Sequence, residues 1–440
     1  MKRYLDNPVV GLAVATLVLI MTESPLAAQN WYRANLHTHT WWSDGQAFPE
    51  ESLALYKDAG YQVIAITDHN LVANNPERWE EYGQGKRISE AAVNRFRERY
   101  PELTPETKEV DGKKFVRLKT FQEASDLLSE NGQFLIIPGY ELSVNTSVGN
   151  LQMHMNVLNV TEAKWGKAKP TGPETLAENF PIAQQIMQDR EAETLLQFNH
   201  PDQRYFDNPP EWFIADYPFK FFEVCNYGND FPAHPNCWTT DKFWDVINAF
   251  RMQNGGELIY GLASDDTHIY EPFYQNLQEC GGGWVVINAP ELTTKAVMNA
   301  LHNGQFYAST GIELERMDFN PETKVLSIKV KEESDENYTI TFIGTKKGFP
   351  QYTATVVDPA DPKQVYEFGT PAQWTKPRRV HTVYPNDIGE SLLVIHGSEA
   401  SFTLSDDLLY VRAKIESSGE PVIKFHGKPR KKTAWTQPVR

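Results

Sequence analysis

The chain has 440 residues, enough for two domains, and its 40% hydrophobic and 23% charged content is that of a globular protein with a full core. Lysines and arginines number 42 against 58 acids, a formal charge of -16, which argues against a broad nucleic-acid platform because that needs a basic stripe. The three cysteines, Cys225, Cys237 and Cys280, lack the paired spacing of a structural zinc site and allow at most one disulfide, with Cys225 and Cys237 the nearest pair.

Residues 1–28 read as a secretory signal. Lys2 and Arg3 precede the apolar run Val9 to Met21, and Ser24-Pro-Leu-Ala-Ala-Gln29 offers small residues for a cut after Ala28. The run is short for a membrane span, although an uncleaved anchor is the competing reading. No later stretch is long and apolar enough to cross a bilayer, so the mature protein is expected to be exported, periplasmic or secreted, without a membrane span.

From there strands alternate with helices. Trp31 to Leu36 reads as a strand, Pro49 to Gly60 as a helix with proline and acids at its start and glycine at its end, and Gln62 to Thr67 as a buried strand. Residues 71–133 form a charge-rich insertion with helices expected over Ile88 to Arg99 and Phe121 to Glu130, a candidate wall or lid. Strands follow over Phe134 to Pro138, Leu151 to Val160, Thr194 to His200, Lys220 to Asn226, Leu258 to Ala263 and Gly281 to Asn288. Helices are expected over Thr175 to Arg190, Thr240 to Asn254 and Thr293 to Asn303. This alternation predicts a mainly parallel sheet. From about Ile312 the texture changes to short alternating runs, such as Val325 to Val330, Tyr338 to Phe342 and Leu409 to Ile415, which read as a small all-β, sandwich-like domain.

Chemistry-bearing residues gather near the strand ends. His37 and His39, at the end of the first strand, would project to the same side. Alone they read equally well as solvated histidines. They are joined by Asp44, Thr67-Asp-His69, Glu141 just past a strand, His154 within one, His200 and Asp265-Asp-Thr-His268, so that six of the 11 histidines belong to the set. Such an imidazole and carboxylate mixture suits zinc, manganese or iron better than calcium or magnesium. Asp265 rivals Asp266, but the Asp-x-His spacing favours Asp266. Asp68, Asn156, Asn199 and Asn226 are candidates either to support the site or simply to pack. His381, His396 and His426 lack acidic company and read as surface or packing residues.

His37-Thr-His39, Ser-Asp44-Gly, Thr67-Asp-His69, Glu141, His154, His200-Pro and Asp266-Thr-His268 resemble, in order, the motifs of the PHP (polymerase and histidinol phosphatase) family over residues 31 to about 311. Asp265-Asp-Thr-His, Gly281-Gly-Gly-Trp-Val-Val and Phe306-Tyr-Ala-Ser-Thr-Gly look like its exported metallohydrolase branch with an appended β domain. The resemblance implies a distorted seven-stranded β/α barrel over residues 29–311, a smaller all-β domain over 312–440, and two or three divalent metal ions (zinc, manganese or iron). Carried over, His37, His39, Glu141 and Asp266 would hold one metal, and Glu141 would bridge to a second held by His154 and His200. Asp44, His69 and His268 would take a third, although Asp44 stands where some members have histidine. His37, His39, Glu141, Asp266 and His268 would form the catalytic core.

The implied activity is metal-dependent phosphoester hydrolysis by a metal-bound hydroxide, with no serine or cysteine nucleophile. The alternatives are hydrolysis of a carboxyl ester, carbamate or amide at the same cluster, and metal-dependent binding without turnover. The substrate is expected to be a small or phosphorylated molecule. His200, His268 and a metal-bound water all stand as candidates for the acid, and Arg204 as a phosphate contact.

Overall fold

The computed structural model describes residues 30–188, 190, 193–201, 208–214, 219–227, 239–270, 280–351, 354–357, 380–421 and 431–440. The expected signal, Arg204, Cys237, His426 and the His381 side chain lie outside the described residues.

The chain opens with β1 (Asn30–Asn35), α1 (Pro49–Asp58) and β2 (Val63–Ile66). Pro49 presets the first turn of α1, and its last turn carries Lys57; Leu53 and Tyr56 are buried. The insertion then gives β3 (Trp79–Glu81), α2 (Glu90–Arg99), β4 (Thr107–Val110), β5 (Lys113–Arg117) and α3 (Phe121–Leu128). Both helices appear where expected, capped by Ser89 and Thr120. The three-stranded sheet β3-β5-β4 was not expected, because the side chains of β4 are all exposed and carry no period-two signal.

The next group is β6 (Leu135–Asn145), β7 (Gln152–Leu158), α4 (Gly172–Met187), β8 (Leu195–Phe198), β9 (Phe221–Asn226), α5 (Thr240–Gln253) and β10 (Tyr260–Ser264). Helix α4 starts and ends three residues before its expected bounds. Thr171 and Glu174 form a reciprocal cap at its start, and Gln188, at φ 46°, turns the chain left-handed at its end. Strand β6 runs on through Glu141 to Asn145, so Glu141 lies within a strand and not beyond one. After β11 (Trp284–Ala289), α6 (Thr294–His302) and β12 (Phe306–Ser309), every described element is a strand. These are β13 (Leu314–Asn320), β14 (Val325–Val330), β15 (Tyr338–Lys346), β16 (Ala354–Val357), β17 (Val380–Val383), β18 (Glu390–His396), β19 (Glu399–Thr403), β20 (Leu408–Ser417) and β21 (Thr433–Thr436).

The protein is a mixed α/β structure built on one 13-stranded sheet, ordered β10-β9-β8-β7-β6-β2-β1-β11-β12-β21-β20-β15-β18. The expectation of a mainly parallel sheet is corrected. Strands β1-β2-β6 and β8-β9-β10 pair parallel, but β7 runs antiparallel to both β6 and β8, and every pairing from β1 to β11 onward is antiparallel. A short turn joins β6 to β7 where a parallel pair would need a long crossover. Beyond β10 and β1 the chain is bridged once more, in parallel, between Thr38 and Thr267.

The boundary expected near residue 312 is not a break in the sheet. Strand β21 sits between β12 and β20, and one hydrophobic cluster joins Tyr56, Ile64 and Trp284 to Ile340, Phe342 and Val411. Helix α5 adds polar ties. Fully buried Arg412 donates to Asp245 from Nε (2.9 Å) and Nη2 (2.7 Å), with Asp241 3.1 Å away, while Lys414 reaches Asp241 at 2.8 Å.

Candidate metal centre

Beyond β1 the chain stays extended. His39 N–H donates to Thr267 O (3.0 Å) and Thr67 N–H donates to Thr38 O (2.9 Å), so His37 and His39 project to one side. Their Nε2 atoms lie 3.1 Å apart. Asp266 Oδ1 is 3.2 Å from the first and 3.1 Å from the second, and Glu141 Oε1 is 3.3 Å from His37 Nε2.

Glu141 joins this group to the rest. Its Oε1 is 3.2 Å from His154 Nδ1 and 3.3 Å from His200 Nε2, and its Oε2 is 2.6 Å from His69 Nδ1. Asp44 faces His69 Nε2 at 3.5 Å, His268 Nε2 at 3.3 Å and His39 Nδ1 at 3.7 Å. All nine residues singled out in the sequence therefore meet in one cluster. Among the described residues, three overlapping sets have ligand atoms within 4.8 Å of one another: His37, His39 and Glu141; His69, Glu141 and His154; and His39, Asp44, His69 and His268. The grouping is more interwoven than the resemblance implies, since His69 also joins Glu141 and His154, and His39 belongs to two sets. Imidazole nitrogens and carboxylate oxygens converging on shared points fit a bound metal ion.

The electrostatics agree with that fit. Burial opposes charging His37, but Asp266, Glu223 and Glu141 outweigh it and raise its pKa well above the ordinary value. His39, buried and facing His268 and His69, is pushed down to about 3. His69 rises against burial to about 11 beside Glu141 and Asp44. Burial likewise opposes ionisation of Glu141 and Asp266, yet the imidazoles around them hold both well below the carboxylate range. The acids demand positive charge, which protons or cations can supply.

Several residues shape the cluster without belonging to it. Asp68 accepts from Thr40 N–H (2.8 Å), Thr40 Oγ1 (2.7 Å), Ser43 N–H (3.0 Å) and Ser43 Oγ (2.6 Å), which folds the loop that presents Asp44. Gly45 follows because a Cβ there would lie 2.3 Å from the His39 carbonyl. Asn199 donates to Glu141 Oε1 (2.7 Å) and to Asn156 Oδ1 (2.9 Å), and Asn226 donates to Asp266 Oδ2 (3.1 Å). Asp265 turns away and accepts from Gly281, Gly282 and Gly283 N–H at 2.8, 2.7 and 2.7 Å and from Tyr56 OH at 2.8 Å. The glycines themselves are required by conformation and space, since Gly281 sits at φ 98° and a Cβ on Gly282 or Gly283 would lie 1.9 Å from the Tyr227 ring or 2.8 Å from Ser264 O. Asp266 alone of the acid pair faces the histidines. His200 and Asp266 both sit in the left-handed region, at φ 26° and 51°, a strain that is stored at functional turns.

One residue escaped the sequence reading. Glu223, fully buried in β9, has its Oε1 2.8 Å from His37 Nδ1. Its only signal in Phe221-Phe-Glu-Val-Cys-Asn226 was an acid in a strand that is otherwise apolar up to its last residue. His396 stands apart from the cluster, beside Thr339 Oγ1 at 3.2 Å. Exposure rises across the centre: the side chains of His37, His39 and Glu141 are at most 1% exposed, His268 15%, His69 24% and Asp44 56%.

No family model matches the chain, and no curated protein matches it. Among solved structures it is similar to a two-domain protein from Bacteroides vulgatus described as containing a PHP-like metal-dependent phosphoesterase. The identity is 11%, with 93% of this chain and 96% of that one covered and a TM-score of 0.37. It is also similar to a protein from Bifidobacterium adolescentis named as a metal-dependent phosphoesterase, at 14% identity over 53% of this chain and 87% of that one, with a TM-score of 0.27. Both names are themselves inferences. At such scores neither likeness transfers an activity to this chain.

Proposed function

We propose that the chain is an exported metal-dependent hydrolase, a phosphoesterase by first reading, working through a multinuclear centre of two or three zinc, manganese or iron ions. The observation that carries this reading is the meeting of His37 and His39 Nε2 with Glu141 and Asp266 in a buried pocket that continues through His154, His200, His69, His268 and Asp44. The motif order favours phosphorus as the electrophile. A seven-stranded barrel made of β1, β2, β6, β7, β8, β9 and β10, closed at the Thr38–Thr267 bridge, accounts for the convergence. The strands after residue 312 are read as an appended all-β domain, with β13-β14-β19 packed over β15 and β20.

Divalent ions held by these residues would acidify a water and would neutralise charge building on phosphoryl oxygens. Under this reading His37, His39, Glu141 and Asp266 hold the first ion, His154 and His200 extend Glu141 to a second, and Asp44, His69 and His268 take a third. Asn199 and Asn226 keep the two buried carboxylates in place through their amide N–H groups. The exposure gradient sets the direction of approach: substrate meets the Asp44, His69 and His268 side, while the His37 side is closed to water.

The test is metal content of the purified mature protein together with hydrolysis of a phosphomonoester and a phosphodiester, for wild type and His37→Ala. Two or three metals with turnover lost in the variant support the reading. Metal without phosphoester turnover redirects it to carboxyl esters, carbamates and amides, and inactivity on all of these leaves a metal-dependent binding protein. A protein that binds no metal removes the reading altogether. Export is checked by the mass of the secreted product, expected to begin at Gln29.

A further inference from the structure

The carboxylate of Glu223 is surrounded by donors. On Oε1 it accepts from His37 Nδ1 (2.8 Å), Gln197 Nε2 (2.9 Å) and Ser264 Oγ (2.5 Å); on Oε2 it accepts from His200 N–H (2.7 Å) and Asn226 Nδ2 (2.8 Å). These donors come from β8 and its end, β9, the end of β10 and the extended segment after β1, so one side chain ties four parts of the centre together. Glu223 and His37 are both fully buried, with no water to substitute for either partner.

The consequences reach two predicted ligands. A carboxylate accepting at His37 Nδ1 places the ring proton there and leaves the Nε2 lone pair turned towards His39, Glu141 and Asp266. The His200 main chain is held at φ 26° with its N–H on the same carboxylate, which aims the ring at Glu141. Asn226 then links Glu223 to Asp266 through one amide nitrogen.

We propose that Glu223 is a positioning residue of the metal centre, fixing His37 as the Nδ1–H tautomer that binds metal through Nε2 and clamping the strained His200 backbone. This inference rests on the metal-centre reading above. Only a carboxylate fits, because all five partners donate. Glutamine would turn an NH2 group towards donors on one side or the other.

Two measurements test it. In wild type loaded with zinc, 15N-labelled histidine spectra are expected to show His37 protonated at Nδ1, metal-bound at Nε2 and slow to exchange its proton. In Glu223→Gln, competition with a chromophoric chelator is expected to show zinc binding weakened about 10- to 100-fold, with faster exchange of the His37 proton. His37→Ala is expected to mask the part of the Glu223→Gln effect that runs through the Glu223–His37 bond, leaving only the smaller part that runs through His200, whereas a general loss of stability would add in full. Wild-type affinity in Glu223→Gln, or His37 bound through Nδ1, overturns the proposal. If Glu223→Gln does not fold, the wild-type tautomer decides. Failure of wild type itself to bind zinc sinks the metal-centre reading, an outcome distinct from failure of this inference.

Discussion

Asp265 takes its hydrogen bonds from Gly281, Gly282 and Gly283, whereas Asp266, the next residue, faces His37 and His39. Neutralising each should therefore give opposite results. Asp266→Asn is expected to lower metal content with little loss of stability in the metal-free protein. Asp265→Asn is expected to cost about 1–3 kcal/mol of stability while metal stoichiometry holds, because its buried N–H partners lose a charged acceptor. Elemental analysis beside thermal unfolding checks both. At this scale the geometry of the cluster was legible: the residues singled out by side-chain type and spacing lie together, and of the acid pair it is Asp266, the one at the Asp-x-His spacing, whose carboxylate lies near His37 and His39. Glu223 was missed because a single acid in an apolar strand says nothing about which distant donors will meet it. Its donors include side chains of His37, Gln197 and Ser264, which only the fold assembles.

The insertion shows what an element can do for residues it does not contain. Arg87 donates to the Ser43 carbonyl and, at 2.6 Å, to that of Trp41, while Arg78 Nη1 donates to that of Trp42 at 3.0 Å. Trp42 Nε1 donates in return to Lys119 O at 2.8 Å. Residues 71–133 thus grip the loop that carries Asp44. Arg87→Ala is expected to speed amide exchange over residues 40–45 by about 30-fold, at about 1 kcal/mol for each of the two lost bonds, and to reduce occupancy of the Asp44, His69 and His268 set first. Helix α5 offers a second case. Arg412→Leu strands Asp245 in the interior and should cost about 3–5 kcal/mol in denaturant unfolding. Helices and strands were legible from periodicity and caps, but strand direction was not: the antiparallel β7 and the exposed three-stranded sheet depend on partners that a local pattern does not specify.

Over the whole molecule, bound cations should act as ligands of the native state. Saturating zinc at about 1,000 times its dissociation constant adds about 4 kcal/mol per independent site, so chelation is expected to lower the unfolding temperature in wild type and far less in His37→Ala. Acid should act elsewhere as well. Asp241, next to Lys414 and Arg412, is held against burial at about 2, below its ordinary 3.8. A depressed acid stabilises the fold above its unfolded value and loses that contribution as pH falls through the folded one. The gap in unfolding temperature between wild type and Asp241→Asn should therefore be widest above pH 4 and close by about pH 2.

Strand β21 carries a consequence for the order of events in folding. Ser309 pairs with Ala434, and the same strand pairs with β20, so neither side of the sheet can complete its ladder until the segment from 310 to 432 has been synthesised and returned. Loop closure is spent before those pairings reward it, which makes assembly slow and leaves β12 and β20 as open edges in the meantime. A nascent chain of this design stays unfinished well after the segments that carry the His and acid cluster have emerged. Removing residues 433–440 should leave a chain that self-associates through those edges more than the full chain does, which sedimentation of the two side by side checks.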